Sequence, residues 1–182
     1  MVAVPVVSVV GLSNVGKTTF LEKLIAELKA RGYRVATVKH DVHGFEIDRP
    51  GKDTWRHAQA GSDVVVIASP ERLAMIARTG GELGLDEIVA RLPVEVDIVL
   101  TEGYKRADKP KIEVSRAACG RDLLSREDEL VAVVTDERFE GLRVAQYGLD
   151  DAAGVVGELE RRGLLPSHSH SPHANPGAQD KH

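Results

Sequence analysis

Two glycines, a lysine and a threonine in residues 11–19, GLSNVGKTT, have the spacing G-x-x-x-x-G-K-[ST]. The residues that match are Gly11, Gly16, Lys17 and Thr18. Glycines let the backbone curl so that its N–H groups point inward at a phosphate, and the lysine reaches the β- and γ-phosphates as a point charge. The threonine hydroxyl is a ligand for Mg²⁺ in such loops. The sequence therefore predicts a loop that binds a nucleoside triphosphate with Mg²⁺.

The stretches on either side of the loop are those that this chemistry requires. An apolar run, PVVSVV, precedes it, and residues 18–31 place apolar side chains on one face of a predicted helix. A helix that begins near Lys17 adds the positive end of its dipole to the site. An ordinary glycine-rich turn is the alternative, but this context favours phosphate binding. We therefore expect the nucleotide to contact the rest of the loop as well, namely Ser13, Asn14, Val15 and Thr19.

Two acidic residues are candidates to assist the loop, because Mg²⁺ needs more than one hydroxyl ligand. Glu102 ends the apolar run VDIVLTEG, and Asp41 lies just past the run ATVKHD. Either carboxylate would emerge at the end of a buried strand, where it can hold Mg²⁺. Glu102 could also orient the attacking water, so Lys17 and Glu102 are the predicted catalytic residues. The alternative for both acids is a solvated position at a strand end.

Valine-rich runs predict strands at 5–10, 33–38, 63–68, 96–100 and 130–134. These runs barely alternate, which is typical of strands buried on both faces of a mostly parallel sheet. Helices are predicted at 18–31, 52–60, 85–91 and 150–162, so the chain has the alternation of a doubly wound, three-layer α/β fold. Residues 71–77 favour a strand over a helix, and 111–115 are predicted to form a short edge strand.

Composition limits the classes of protein to consider. We expect one nucleotide-binding domain over residues 1–165 and a disordered, His-containing tail over 166–182. The net charge of −4 and the 4% aromatic content argue against nucleic-acid or membrane partners. The single cysteine excludes an internal disulfide. The first residues lack the pattern of a signal peptide, so we expect a cytoplasmic protein.

Other polar residues leave several alternatives open. His40, Asp41 and His43 could bind a transition metal, line the nucleotide pocket or be exposed. Asp48 belongs to the polar segment DRPGKD, which either caps a helix or closes on a nucleotide or phosphorylated substrate. Asp136 follows the last predicted strand and could contact the guanine edge, although the usual N-K-x-D motif is absent there. The residues alone do not decide between GTP and ATP.

Three segments in the same order resemble the molybdopterin-guanine dinucleotide biosynthesis adapter (MobB) family over residues 5–136. They are GLSNVGKTT, VKHDVHGFEIDRPGKDTWRHAQAGSDVVVIAS and VLTEGYKRADKPKIEV. The resemblance implies a P-loop protein that binds GTP, hydrolyses it weakly and forms a homodimer. It also implies partnership with the guanylyltransferase that joins GMP to molybdopterin, and contact with molybdopterin itself stays open. Asp48 and the Gly51–Asp53 turn would form the family segment, and Glu102 would be the catalytic-side carboxylate.

Three other readings remain at this point. A GTPase that inserts nickel would use the histidines at 40, 43 and in the tail. A small-molecule kinase would share the same fold and loop. A non-catalytic structural protein would keep the loop as scaffold and bind no nucleotide.

Overall fold

The structure is a computed structural model that describes residues 4–41, 44–120 and 122–166. The chain divides into two compact units, one drawn from Met1–His40 and Pro93–His182 and the other from Asp41–Leu92. The predicted tail, apart from its first residue, lies outside the described residues. The elements in chain order are β1 (Val6–Val10), α1 (Lys17–Ala30), β2 (Val35–Lys39), α2 (Asp53–Gln59), β3 (Val64–Ala68), β4 (Leu73–Ala77), α3 (Leu85–Val89), β5 (Ile98–Glu102), β6 (Lys111–Ser115), β7 (Leu130–Thr135), β8 (Ala145–Tyr147) and α4 (Ala152–Arg161).

The first unit contains a six-stranded sheet with the order β2-β5-β1-β6-β7-β8, and every pairing in it is parallel. All residues of β1, β6 and β7 are buried, which explains why their apolar pattern does not alternate. The predicted mostly parallel α/β class is therefore confirmed. Because the strands are parallel, all their carboxyl ends lie along one edge of the sheet.

The prediction that 111–115 form an edge strand was wrong. This segment is β6, which pairs with β1 on one side and β7 on the other. The polar letters in KIEVS suggested an exposed edge, but both charged side chains are buried with partners. Lys111 Nζ lies 2.6 Å from Glu129 Oε1, and the Glu113 carboxylate accepts backbone N–H groups. The true edge strands are β2 and β8, and no strand was predicted at 145–147.

Two helices complete the first unit. The buried face of α1 consists of Phe20, Leu21, Leu24 and Leu28, as its apolar spacing predicts. Val155, Val156 and Leu159 of α4 are fully buried and belong to the same core. The two helices pack on each other and against the sheet. Among the described residues, no helix combines the length and apolarity that crossing a membrane demands.

The second unit contains α2, α3 and an antiparallel pair, β3–β4. The prediction that 63–68 belong to the parallel sheet was therefore wrong, whereas the favoured strand at 71–77 is confirmed as β4. The pair forms because only four residues separate the two strands, which suits a hairpin. In β3 only Val65 is buried, so the apolar character of this strand does not reflect burial within its own chain.

Candidate nucleotide-binding site

The glycine-rich loop connects the end of β1 at Val10 to the start of α1 at Lys17. The neighbouring strand β6 leaves no room for a side chain at Gly11, because a Cβ there would lie 2.3 Å from the Val114 carbonyl oxygen. Gly11 also has a φ of 145°, and Gly16 has a φ of 96° where the helix begins. Both values are readily adopted only by glycine. The fold thus places the loop at the carboxyl edge of the sheet with the first N–H groups of α1 beside it.

Lys17 folds back across this loop. Its Nζ donates to the Leu12 carbonyl at 2.7 Å and to the Gly11 carbonyl at 3.3 Å. Burial lowers the pKa of Lys17, and the nearby charges of Lys105 and Lys39 lower it further, while Glu102 opposes them. The lysine is therefore held inside the loop, close to two further cations and one carboxylate.

Thr18 and Glu102 come together although they are far apart in sequence. The Thr18 hydroxyl donates to Glu102 Oε1 at 2.9 Å. Glu102 ends β5, where it is in register with Val9 of β1 and Lys39 of β2. A hydroxyl and a carboxylate at this distance form a set of oxygen donors, which is the chemistry that Mg²⁺ prefers. These two residues fit the predicted Mg²⁺ ligands.

A turn with unusual backbone geometry follows Glu102. Gly103 has a φ of 100°, and a Cβ there would lie 3.2 Å from the His40 Cβ. Tyr104 has a φ of 47°, which is uncommon for a residue other than glycine. Its ring centroid lies 4.7 Å from that of His40. The sequence TEGY therefore turns sharply at the carboxyl edge and places Lys105 near the loop lysine.

On the other side of β1, the ends of β6 and β7 carry Arg116 and Asp136. Arg116 Nε donates to the Val15 carbonyl at 3.0 Å. Asp136 Oδ1 accepts the Ala117 N–H at 2.9 Å, which ties the ends of the two strands together. Sequence reasoning named Asp136 but missed Arg116, because it took 111–115 for an edge strand and so did not expect this segment to lie beside β1. The signal in the sequence was a basic residue directly after a predicted strand, and its place beside the loop required the strand order.

Three further candidates have different outcomes. Asp41 and Asp48 belong to the second unit, where Asp41 is exposed and Asp48 Oδ1 accepts the Arg49 N–H at 2.8 Å. Their contact with nucleotide or Mg²⁺ stays a prediction. His43 lies outside the described residues. Within the described ranges, no three His, Cys, Asp or Glu side chains are grouped as a metal site would need.

Two cavities of about 630 and 600 Å³ lie apart from the loop. The first is lined by Pro110 and Leu130, at the amino ends of β6 and β7, and therefore at the opposite edge of the sheet. Part of its charged lining is paired internally, as in the ion pair of Arg126 with Asp128. The second contains Glu158, which is paired with Arg161 and Arg162. Neither cavity belongs to the loop site.

A parallel sheet with this loop between its central strand and first helix defines a P-loop nucleotide-binding protein of the α/β class. The family model described as "Molybdopterin guanine dinucleotide synthesis protein B" (MobB) matches residues 6–136. The chain belongs to this family, and the resemblance seen in its sequence is confirmed.

Relatives and solved structures agree with this membership. The chain is 38% identical over 138 residues to the molybdopterin-guanine dinucleotide biosynthesis adapter protein of Haemophilus influenzae, covering 75% of this chain and 78% of the relative. It is 33% identical to the Escherichia coli adapter protein, covering 84% and 90%. Bacillus subtilis MobB superimposes with a TM-score of 0.66 at 28% identity, covering 90% and 99%. A further MobB crystal structure gives 0.65 at 32% identity, covering 88% and 99%.

Proposed function

We propose that this protein is a GTP-binding adapter in molybdenum cofactor biosynthesis, where it assists the guanylyltransferase that forms molybdopterin guanine dinucleotide. The observation that carries the proposal is the loop of residues 11–19 with Lys17 inside it and Thr18 hydrogen-bonded to Glu102. Family membership supports the pathway, since the named relatives are adapter proteins of this biosynthesis.

The loop would hold the triphosphate with main-chain N–H groups and with the Lys17 ammonium. The Lys17 ammonium donates to two loop carbonyls. Phosphate oxygens would compete with these carbonyls for its N–H groups. Lys39 and Lys105 add positive charge close by. Asp136 keeps one carboxylate oxygen beyond its bond to Ala117, so it can contact the guanine edge as we predicted. The remaining predicted contacts are Gly11, Ser13, Asn14, Val15, Gly16, Thr19 and Asp48.

Thr18 and Glu102 would hold Mg²⁺, with Asp41 as a further candidate. Bound Mg²⁺ neutralises charge that develops on the phosphate oxygens. Glu102 could instead orient water for attack. We expect slow hydrolysis, because no arginine finger was identified in the sequence, and such a residue is worth about three to five orders of magnitude in rate. The function then lies in presenting bound nucleotide, or a nucleotide-dependent shape, to the transferase.

The partners follow from the same proposal. The guanylyltransferase is the expected protein partner, and GTP is the expected ligand. Direct binding of molybdopterin is an open part of the proposal. The acidic net charge of −4 speaks against nucleic acid and anionic membranes, and a cytoplasmic location fits a pathway that uses GTP.

We further propose that the protein is a homodimer that uses the β3–β4 pair. Val64, Val66, Leu73 and Met75 share one face of this pair and are 50 to 55% exposed. An isolated two-stranded sheet is marginally stable in water, and an exposed apolar face of this kind marks an interaction surface. A second copy of the chain would cover the face with the same residues, as twofold symmetry requires.

The test of the function is capture of the guanylyltransferase from cells that make the cofactor. The full chain and a Lys17→Ala variant would serve as baits, each with and without Mg²⁺ and GTP. We expect the unaltered protein to retain the transferase in a GTP-dependent manner and the variant to lose that dependence. A transferase that is never retained, with GTP present or absent, would refute the adapter role.

A further inference from the structure

Arg116 lies against the nucleotide loop, although it is not part of the loop sequence. It follows the last residue of β6 directly and is half-buried. Its Nε donates to the Val15 carbonyl at 3.0 Å. A Cβ added to Gly16 would lie 3.4 Å from both Nε and Nη2. The guanidinium therefore bonds to the Val15 backbone and lies where a side chain at residue 16 would contact it.

The chain on both sides of Arg116 is fixed by buried or strand-end carboxylates. Glu113, three residues earlier, is 1% exposed and accepts the N–H groups of Leu124 and Ser125 at 2.6 and 2.9 Å. Asp136 accepts the N–H of the next residue, Ala117. These contacts determine where the Arg116 backbone lies, so the side chain reaches the loop without a large loss of freedom. A side chain supported in this way can form part of a preorganised site.

The order of the strands indicates which part of the nucleotide lies on this side. Glu102 is at the end of β5 and accepts a hydrogen bond from Thr18, so these two residues would hold Mg²⁺ and the phosphates that it neutralises on that side of β1. The nucleoside must leave the loop at its other end. Beyond β1 in that direction come β6 and β7, and Arg116 and Asp136 directly follow the last residues of these two strands.

We propose that Arg116 forms the wall of the nucleoside subsite, where its guanidinium plane stacks on the nucleobase while Nε stays bonded to Val15. A guanidinium stacks on aromatic faces, which an ammonium does less well because it is not planar. Such stacking is tolerant of the base, so it adds affinity without choosing guanine. This inference rests on the proposed nucleotide binding at the loop.

The test compares two ligands that differ only in the nucleoside. Affinities of Mg²⁺·GTP and of inorganic triphosphate with Mg²⁺ would be measured by calorimetry for the full chain and for Arg116→Ala. We expect the variant to bind GTP about tenfold more weakly, as loss of one stacked base implies. Its affinity for inorganic triphosphate should fall by clearly less than that for GTP, because that ligand has no base and loses only a nearby positive charge.

Arg116→Lys separates stacking from support of the loop. The lysine keeps a donor for the Val15 carbonyl but lacks the plane, so it should bind triphosphate normally and still bind GTP weakly. Arg126→Ala is the matched control, an exposed arginine at the opposite edge of the sheet, and should change neither affinity.

Equal losses for both ligands, no loss for either ligand, or full recovery of GTP affinity by lysine would each overturn the inference. In those cases the unaltered protein still binds GTP, and the proposed function stands. An unaltered protein that binds neither ligand would instead overturn the proposed function, and this inference with it.

Discussion

At the scale of single residues, the site depends on bringing charges of both signs close to Lys17. The charges of Lys39, Lys105 and Glu102 all shift the pKa of its ammonium. Lys39 belongs to β2, Glu102 ends β5, and Lys105 lies in the turn that follows β5. Lysines this close repel one another, which costs stability. A polyanionic ligand would convert that repulsion into attraction, so the cluster is better explained by phosphate binding than by folding.

Lys17→Ala should abolish tight binding of Mg²⁺·GTP while leaving the protein folded. Lys17 does not belong to the buried apolar core, and the hydrogen bonds of its side chain are to the loop. Calorimetry would measure the binding, and circular dichroism would confirm the fold. Unchanged GTP affinity in a folded variant would refute the assignment of the loop.

The pH dependence of GTP binding should report the state of Lys17. Its pKa is lowered, so the ammonium loses its proton at a lower pH than an ordinary lysine does. GTP affinity should therefore fall in the alkaline range. Lys105→Gln removes one cause that lowers the pKa, so the fall should begin at a higher pH.

Lys29→Gln is the control for this pH series, because Lys29 is exposed in the last turn of α1. It should leave the alkaline fall in place. A profile that is the same in Lys105→Gln and in the unaltered protein would contradict the coupling of Lys105 to Lys17.

At the scale of elements, the strands of the parallel sheet and the helix after the loop were predictable from their apolar patterns. The position of β6 was not, because its polar residues are buried through specific partners that the pattern does not reveal. Lys111 pairs with Glu129, which is 18 residues away, and Glu113 accepts N–H groups from a following loop. The motif alone therefore predicted that Lys17 and Thr18 belong to the nucleotide site. Placing Arg116 beside that site required the order of the strands in the sheet.

The β3–β4 hairpin shows the opposite error, in which an apolar sequence pattern predicts burial and the side chains are exposed. Strands β3 and β4 are as apolar as those of the sheet, so burial was expected for 63–68, yet most of their side chains are exposed. A pattern of apolar residues does not distinguish burial within a chain from burial between chains. Strand β8 was missed because only three residues, AQY, pair with β7.

Glu158 links α4 to the edge of the sheet, and replacing it should destabilise the fold. Burial raises its pKa, but the hydrogen bond from Arg162 and the charges of Arg161 and Arg162 outweigh that effect, so its pKa is lowered. Tyr147 of β8 also donates to it at 3.2 Å. Glu158→Gln should lower the free energy of unfolding by about 2 kcal/mol near neutral pH.

The same variant gives a test by pH. A carboxylate with a lowered pKa stabilises the fold above its unfolded pKa, and this contribution is lost as the pH falls through the folded value. The difference between the unaltered protein and Glu158→Gln in urea unfolding should therefore shrink in acid. Glu22→Gln, at an exposed position on α1, should show almost no difference. A difference that is constant with pH would contradict the ion-pair explanation.

At the scale of the whole molecule, the chain combines a loop site in one compact unit with an exposed apolar hairpin in the other. These features suit an adapter, in which one surface responds to nucleotide and another associates with protein. The hairpin face is apolar on both strands, and nothing in the loop chemistry needs it. The proposed association accounts for the exposed apolar side chains on both strands.

Val66→Asp should convert the proposed dimer to a monomer. The substitution places a charge at the centre of the apolar face, opposite Met75 on the neighbouring strand, where it would be buried in the dimer without a partner. Sedimentation velocity would measure the mass. Val94→Asp is the matched control, since Val94 is also exposed but lies in the other unit. A dimer that persists in Val66→Asp, or a monomeric unaltered protein, would contradict the proposed interface.

The central claim, that residues 11–19 bind GTP, is tested most directly by a crystal structure with a non-hydrolysable GTP analogue and Mg²⁺. The account predicts the triphosphate within the loop, contacted by Lys17, with Mg²⁺ beside Thr18 and Glu102. An analogue bound elsewhere, with the loop empty at saturating ligand, would contradict it.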